Sequence, residues 1–100
     1  MLTILVAEDS ADDYLMLDYA FKKAEFGGKR MRARDGLEAK AYLAGEGDFQ
    51  NRDVNPLPSL ILADLKMPRM NGLELLKWTR AQPIIRRIPF RGPERIGESY

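Results

Sequence analysis

Residues Leu60-Ile61-Leu62-Ala63 form an unbroken apolar run that ends at one carboxylate, Asp64. A short continuous apolar run suits a strand buried on both faces, as in a parallel sheet. An acidic side chain directly after such a strand lies at its carboxyl edge, where open α/β sheets bind their ligands. Leu65-Lys66-Met67-Pro68-Arg69-Met70-Asn71-Gly72 follows. Pro68 forces a turn, and Asn71-Gly72 is a second turn signal that opens a helix. Asp64 is therefore expected at a strand end on a stiff loop. The structural alternative is an Asp that only accepts backbone N–H bonds there.

The rest of the chain alternates around this strand. Leu2 to Ala7 is β-rich and almost wholly apolar, a second candidate buried strand, and it too ends in acids, Glu8-Asp9. Ser10 is an N-cap type with Asp12 and Asp13 behind it, so a helix is expected from Ala11 to about Ala24. Its inner face reads Tyr14, Leu17, Phe21 and Ala24, with Ala20 beside them. Asp12 and Asp13 suit a helix N-terminus, where negative charge is favourable.

Gly27-Gly28 ends that helix. Lys29 to Arg34 alternates weakly, with Met31 and Ala33 on one side, and suits a short charged edge strand. Asp35-Gly36 is a turn, and Leu37 to Ala44 a short helix. Gly45 to Ser59 is polar, with prolines and glycines, and reads as a long surface loop, functional or mobile. Leu73 to Gln82 is helical, with Leu73, Leu76 and Arg80 on one line and Leu75, Trp78 and Thr79 nearby. Trp78 is expected to be packed or half-covered. After Pro83, Ile84-Ile85 and Ile88-Pro89-Phe90 could begin a fourth strand. Residues 91–100 have no period and read as an irregular tail, leaving 1–90 as the folded part.

Composition narrows the chemistry. The 100 residues suffice for one small domain, with Lys and Arg nearly balancing Asp and Glu at net +1. A dedicated nucleic-acid binder would carry a clear basic excess, and Lys29 to Arg34 has no interleaved aromatics. Without Cys or His there is no disulfide framework, no thiolate or imidazole metal site and no His-based triad. No apolar run approaches the ~20 residues of a membrane span, and the first residues do not make a signal peptide. The expectation is a soluble, cytoplasmic protein.

The order β-α-β-α-β-α makes this an α/β chain with a parallel sheet. Right-handed crossovers would bring the carboxyl ends of neighbouring strands together. Glu8 and Asp9 would then lie beside Asp64, and clustered carboxylates repel and raise one another's pKa unless a cation neutralises them. With oxygen ligands alone, the hard-cation expectation is Mg²⁺. The alternative is that the acids lie apart in solvent.

With these motifs in place, the chain resembles the response-regulator receiver domains of two-component signalling. The resemblance covers Leu2 to about Phe90 and rests on Glu8-Asp9, Asp35-Gly36 and the stretch from Asp64 to Gly72. Gly45 to Ser59 and Pro83 to Pro89 are similar to the small stand-alone receivers. The resemblance implies a doubly wound parallel sheet of flavodoxin-like form. It implies that Asp64 takes a phosphoryl group from a phosphohistidine on a sensor histidine kinase or phosphotransfer protein. It implies that Asp9 binds Mg²⁺ directly, Glu8 through water, and the backbone carbonyl of Lys66 completes the site. Such a domain is a phosphoacceptor, not an enzyme. A Mg²⁺-dependent hydrolase would want a second Asp two residues after the nucleophile, where Lys66 stands.

The family also has a Ser or Thr after its fourth strand and a Lys after its fifth. Neither is found: no Lys follows Lys77, and Ser99 lies in the tail. The expectation is a receiver lacking its last strand or strands and helices. Its rival function is a remnant that serves only as an interaction module or has no function. Suitably chosen codons for Arg91 to Gly97, with one base dropped, read Val-Val-Leu-Ser-Ala-Ser, so a one-base insertion near the Phe90 codon is compatible with this ending, and a natural short variant with a different ending is the rival expectation. An exposed apolar flank of the Leu60–Ala63 strand would invite pairing with a second copy, so a homodimer is also expected.

Overall fold

A computed structural model describes residues 2–92. The strands are β1 (Thr3–Ala7), β2 (Lys29–Ala33), β3 (Leu60–Ala63) and β4 (Phe90–Arg91). The helices are α1 (Ala11–Lys23), α2 (Gly36–Ala44) and α3 (Gly72–Arg80), with a short 3-10 turn at Gly47–Phe49. The strands pair in parallel in the order β2-β1-β3-β4.

Both faces of this sheet are covered, which explains the apolar runs of β1 and β3. Leu5 and Ala7 face one side, with Ile61, Ala63, and Tyr42 and Leu43 of α2 and Leu75 and Leu76 of α3. Ile4, Val6 and Leu62 face the other, under Tyr14, Leu17 and Phe21 of α1. The sheet is therefore doubly wound, as the sequence led us to expect. Arginines and a lysine line β2, which lies at an edge, in keeping with a charged edge strand.

α1 begins where expected: the Ser10 hydroxyl accepts the Asp13 N–H at 3.2 Å. It has no buried residue. Ala20 and Ala24, placed on its inner face by periodicity, are exposed. Its outer side is also apolar, with Leu15, Met16 and Tyr19 all more than 60% exposed. Asp18 joins α1 to β2 through a 2.8 Å ion pair with Arg30, whose guanidinium lies 5.6 Å from the Phe21 ring.

Several expectations change. Gly45 to Ser59 is an anchored segment. The Arg52 guanidinium donates to the carbonyls of Tyr42, Leu43 and Asn55, closing the end of α2. Phe49 packs on Tyr42 with ring centroids 5.2 Å apart, and Asn55 is buried. In α3 the buried line is Leu75, Leu76 and Thr79, and Leu73 is half exposed. Ile84 and Ile85 lie in turns with opposite fates, Ile84 85% exposed and Ile85 buried. The fourth strand begins only at Phe90 and includes Arg91, which the sequence assigned to the tail. The expected irregularity of 93–100, including Ser99, lies outside the described residues. Trp78 is half-buried as expected, with the Lys40 ammonium 5.5 Å from its ring centroid. A cation over an indole is a favourable neighbour for a lysine on a packed helix. Among the described residues no helix is long and apolar enough to cross a membrane.

Candidate functional site

Strand register builds the site. Ala7 is paired with Ala33 on one side and with Ala63 on the other. The three strands thus end in one row of small residues, and the next residues of β1 and β3 are Glu8 and Asp64. The ladder runs one step further: the Glu8 N–H donates to the Ala33 carbonyl at 2.9 Å, and the Asp64 N–H to the Ala7 carbonyl at 3.3 Å. The backbone of both acids is therefore fixed by the sheet, not by a free loop.

The carboxylate oxygens of Glu8, Asp9 and Asp64 lie within 4.8 Å of one another. The sequence expectation that crossovers unite these acids holds. Their environments differ: Glu8 is buried at 3% exposure, Asp64 is half-buried and Asp9 is exposed. Burial pushes the Glu8 carboxyl above its ordinary value, the Ser10 N–H on Oε2 at 3.2 Å opposes this, and repulsion from Asp64, Asp13 and Asp9 adds to it. Asp64 Oδ1 accepts the Lys66 N–H at 3.0 Å, which fixes the carboxylate against the start of the next loop. Among the described residues, none of the three acids is in an ion pair. An all-oxygen, uncompensated cluster with one buried carboxylate suits a hard divalent cation, whose charge removes the repulsion.

Two further supports have roles that the sequence did not show. Arg32 of β2 donates to the backbone carbonyl of Glu8 at 3.2 and 3.3 Å and to that of Asp9 at 3.5 Å, with its guanidinium 5.0 Å from the Tyr14 ring centroid. It holds the acidic turn from behind without touching the carboxylates. Its signal was only that an arginine stands opposite Val6 in the register, one step before the acids. The second is Asp35. Its Oδ1 accepts the Glu38 N–H at 2.8 Å and caps α2, and its Oδ2 takes the Arg69 guanidinium at 2.7 Å.

The loop between β3 and α3 is packed tightly on its neighbours. A Cβ on Gly72 would overlap the Asp64 carbonyl, and one on Gly36 would overlap that of Met70. Glycine is required at these positions because backbone meets backbone. Asn71 caps α3 in a full capping box with Glu74, so the loop ends on a fixed helix start.

No family model matches the chain. Among curated proteins it is 36% identical over 86 residues to the response regulator Rcp1 of Synechocystis sp., covering 86% of this chain and 56% of that one. The Mn²⁺-bound crystal structure of Rcp1 superposes with a TM-score of 0.82 at 33% identity, covering 92% of this chain and 64% of that one. The bacteriophytochrome response regulator RtBRR matches with a TM-score of 0.84 at 38% identity, over 92% of this chain and 55% of that one. The phosphorylated cyanobacterial phytochrome response regulator RcpA gives 0.82 at 33% identity, over 91% and 63%. The chain spans about half the length of the curated relatives it matches, 56% and 53%. With strands in this order, acids at the ends of β1 and β3, and this measure of likeness in both sequence and structure, the relatives and structural neighbours of the chain are receiver-domain response regulators.

Proposed function

We propose that the chain is a phosphoacceptor in a two-component phosphorelay, with Asp64 as the acceptor. The observation that carries this is the uncompensated cluster of Glu8, Asp9 and Asp64, with oxygens within 4.8 Å of one another. An Asp64 carboxylate oxygen attacks phosphorus of the donor, a P–O bond forms, and the bond from phosphorus to the donor's leaving atom breaks. The product is an acyl phosphate on Asp64. Phosphoryl transfer needs positioning and charge neutralisation more than covalent assistance from the protein.

The residues divide that work. The Lys66 N–H holds Oδ1 of Asp64, and the sheet holds its backbone. Asp9, exposed, is the ligand open to a cation arriving from solvent, while Glu8, buried behind it, supplies charge directly or through water. The Lys66 carbonyl is the remaining ligand. Mg²⁺ held by Asp9, Asp64, the Lys66 carbonyl and, through water, Glu8 would neutralise the clustered carboxylates and the charge of the incoming phosphoryl group. Rcp1 has a Mn²⁺-bound form and RcpA a phosphorylated one, which supports a divalent cation and a phosphoryl group as partners of this chain. The donor is a phosphohistidine of a sensor histidine kinase or phosphotransfer protein, met in the cytoplasm. The chain is an acceptor, not a catalyst of turnover on a separate substrate.

The test is intact-mass measurement after incubation with a small phosphodonor such as acetyl phosphate. The wild-type chain gains one phosphoryl group in Mg²⁺ and none after chelation, and Asp64→Asn gains none. An Asp64→Asn chain that is labelled like wild type, or a wild-type chain that is never labelled, rules the reading out.

A further inference from the structure

Asp64 is reached from one side by Glu8 and Asp9. On its other side the chain runs through Leu65-Lys66-Met67-Pro68-Arg69-Met70-Asn71 into α3. Arg69 in this loop has φ +67°. The Met70 N–H donates to the Pro68 carbonyl at 2.8 Å, which makes a γ-turn centred on Arg69. A γ-turn with positive φ at its centre is the rarer, strained form. Side chains avoid this region, and glycine or asparagine adopts it more readily.

Burial does not place an arginine there, since its side chain is 58% exposed. What surrounds it does. Arg69 Nε donates to Asp35 Oδ2 at 2.7 Å, and Nη2 makes an ion pair with the same oxygen at 2.7 Å. The Asp35 side chain is 14% exposed and is tied by its other oxygen to the first turn of α2. Gly36 lies against the Met70 carbonyl, so the turn is pressed onto that helix start. Strained backbone persists where its surroundings over-determine it, and it gathers at functional sites.

We propose that Arg69, latched to Asp35, is a positioning residue. It holds the strained turn on α2 so that the segment Asp64–Lys66 faces Glu8 and Asp9 at a spacing fit for a divalent cation. This rests on the phosphoacceptor reading of the acidic cluster. Arg69 touches none of the acids of the cluster. It acts through the loop, whose near end is closed by the Gly72 N–H on the Leu65 carbonyl at 3.3 Å and whose buried anchor is Met67.

The test uses the full chain and the variants Arg69→Gly, Asp35→Asn and their combination. Arg69→Gly keeps positive φ without strain and removes the guanidinium. Asp35→Asn keeps an acceptor for the α2 cap and removes the charge. In metal-free protein, amide exchange at Lys66 and Gly72 should rise in every variant, while exchange at Leu5 in the central strand stays as in wild type. The Mg²⁺ dissociation constant should rise about two- to fivefold, the scale a partly exposed ion pair allows. The double variant should be no weaker than the worse single variant, because one latch is broken once.

Wild-type exchange and wild-type Mg²⁺ affinity in both single variants overturn the latch. So does a rise in exchange that extends equally to Leu5, which would mean general destabilisation. A wild-type chain that binds no Mg²⁺ defeats the phosphoacceptor reading instead. In that case faster exchange confined to Lys66 and Gly72 still upholds the latch as what holds the loop, and unchanged exchange overturns it.

Discussion

Glu8 is the residue at which fold and chemistry conflict most openly. It is buried at 3% exposure with an ionisable group among other acids, and its carboxyl is pushed above its ordinary value by burial. Such a charge opposes folding and favours a cation. Glu8→Gln should therefore raise the melting temperature of the metal-free protein. The gain is on the order of 1 kcal/mol, the repulsion of two unit charges at about 4 Å in water. The same change should shrink the further rise that Mg²⁺ gives to wild type. Thermal melts of both proteins with Mg²⁺ and with chelator check it. A lower metal-free melting temperature in the variant would mean that the buried carboxylate stabilises the fold. Glu8, Asp9 and Asp64 were legible in the sequence because each follows a run of apolar residues and strand ends must meet. Arg32, Arg69 and the pairing role of Asp35 were not. An ion pair across 34 positions of sequence leaves no periodic trace, and a guanidinium on backbone carbonyls has no residue-type signature.

At the scale of elements, the α2 start and the loop after β3 share one charge pair. Asp35 is held below the ordinary carboxylate range by the Arg69 guanidinium first, with burial opposing and the N–H groups of Glu38 and Leu37 assisting. A lowered folded-state pKa means that the contribution to stability is complete above the unfolded value, about pH 4, and is lost as pH falls through the folded value. Wild type should thus lose an increment of stability below about pH 4 that Asp35→Asn lacks. Glu8 acts with the opposite sign, since protonation relieves its burial, so the difference between the two proteins isolates Asp35. Denaturant midpoints measured from about pH 6 to pH 3 would show parallel curves if the pair contributes nothing. β1 and β3 were legible as unbroken apolar runs because both faces of the sheet are covered, α2 and α3 because one face of each is buried, and α1 chiefly from its Ser10 cap. The anchoring of Gly45 to Ser59 by Arg52 was not, because the polar composition that marks a solvent loop also serves one tied down by hydrogen bonds. Ile84-Ile85 misled for a related reason: an apolar doublet has no direction until a turn sends one side chain inward and the other out.

Across the whole molecule, stability is concentrated in the central strands. Leu5 is fully buried in β1, which is paired on both edges and covered on both faces. Leu5→Ala should cost about 2–5 kcal/mol, a large share of the ~5–15 kcal/mol of a whole domain. Leu15→Ala, at a site 62% exposed, should stay within about 0.5 kcal/mol. Denaturation midpoints of the two variants decide, and comparable losses would mean that the outer side of α1 is covered in solution. That outer side has a consequence of its own. With Tyr14, Leu17 and Phe21 inward and Leu15, Met16 and Tyr19 outward, α1 is apolar on opposite sides, so hydrophobicity alone does not decide which way the cylinder rolls. The choice falls to polar contacts made with β2: Asp18 on Arg30, Arg30 over Phe21, and Arg32 over Tyr14. The charged strand at the rim, which guards the sheet against unwanted pairing, thus also acts as the key that turns the helix to its proper face.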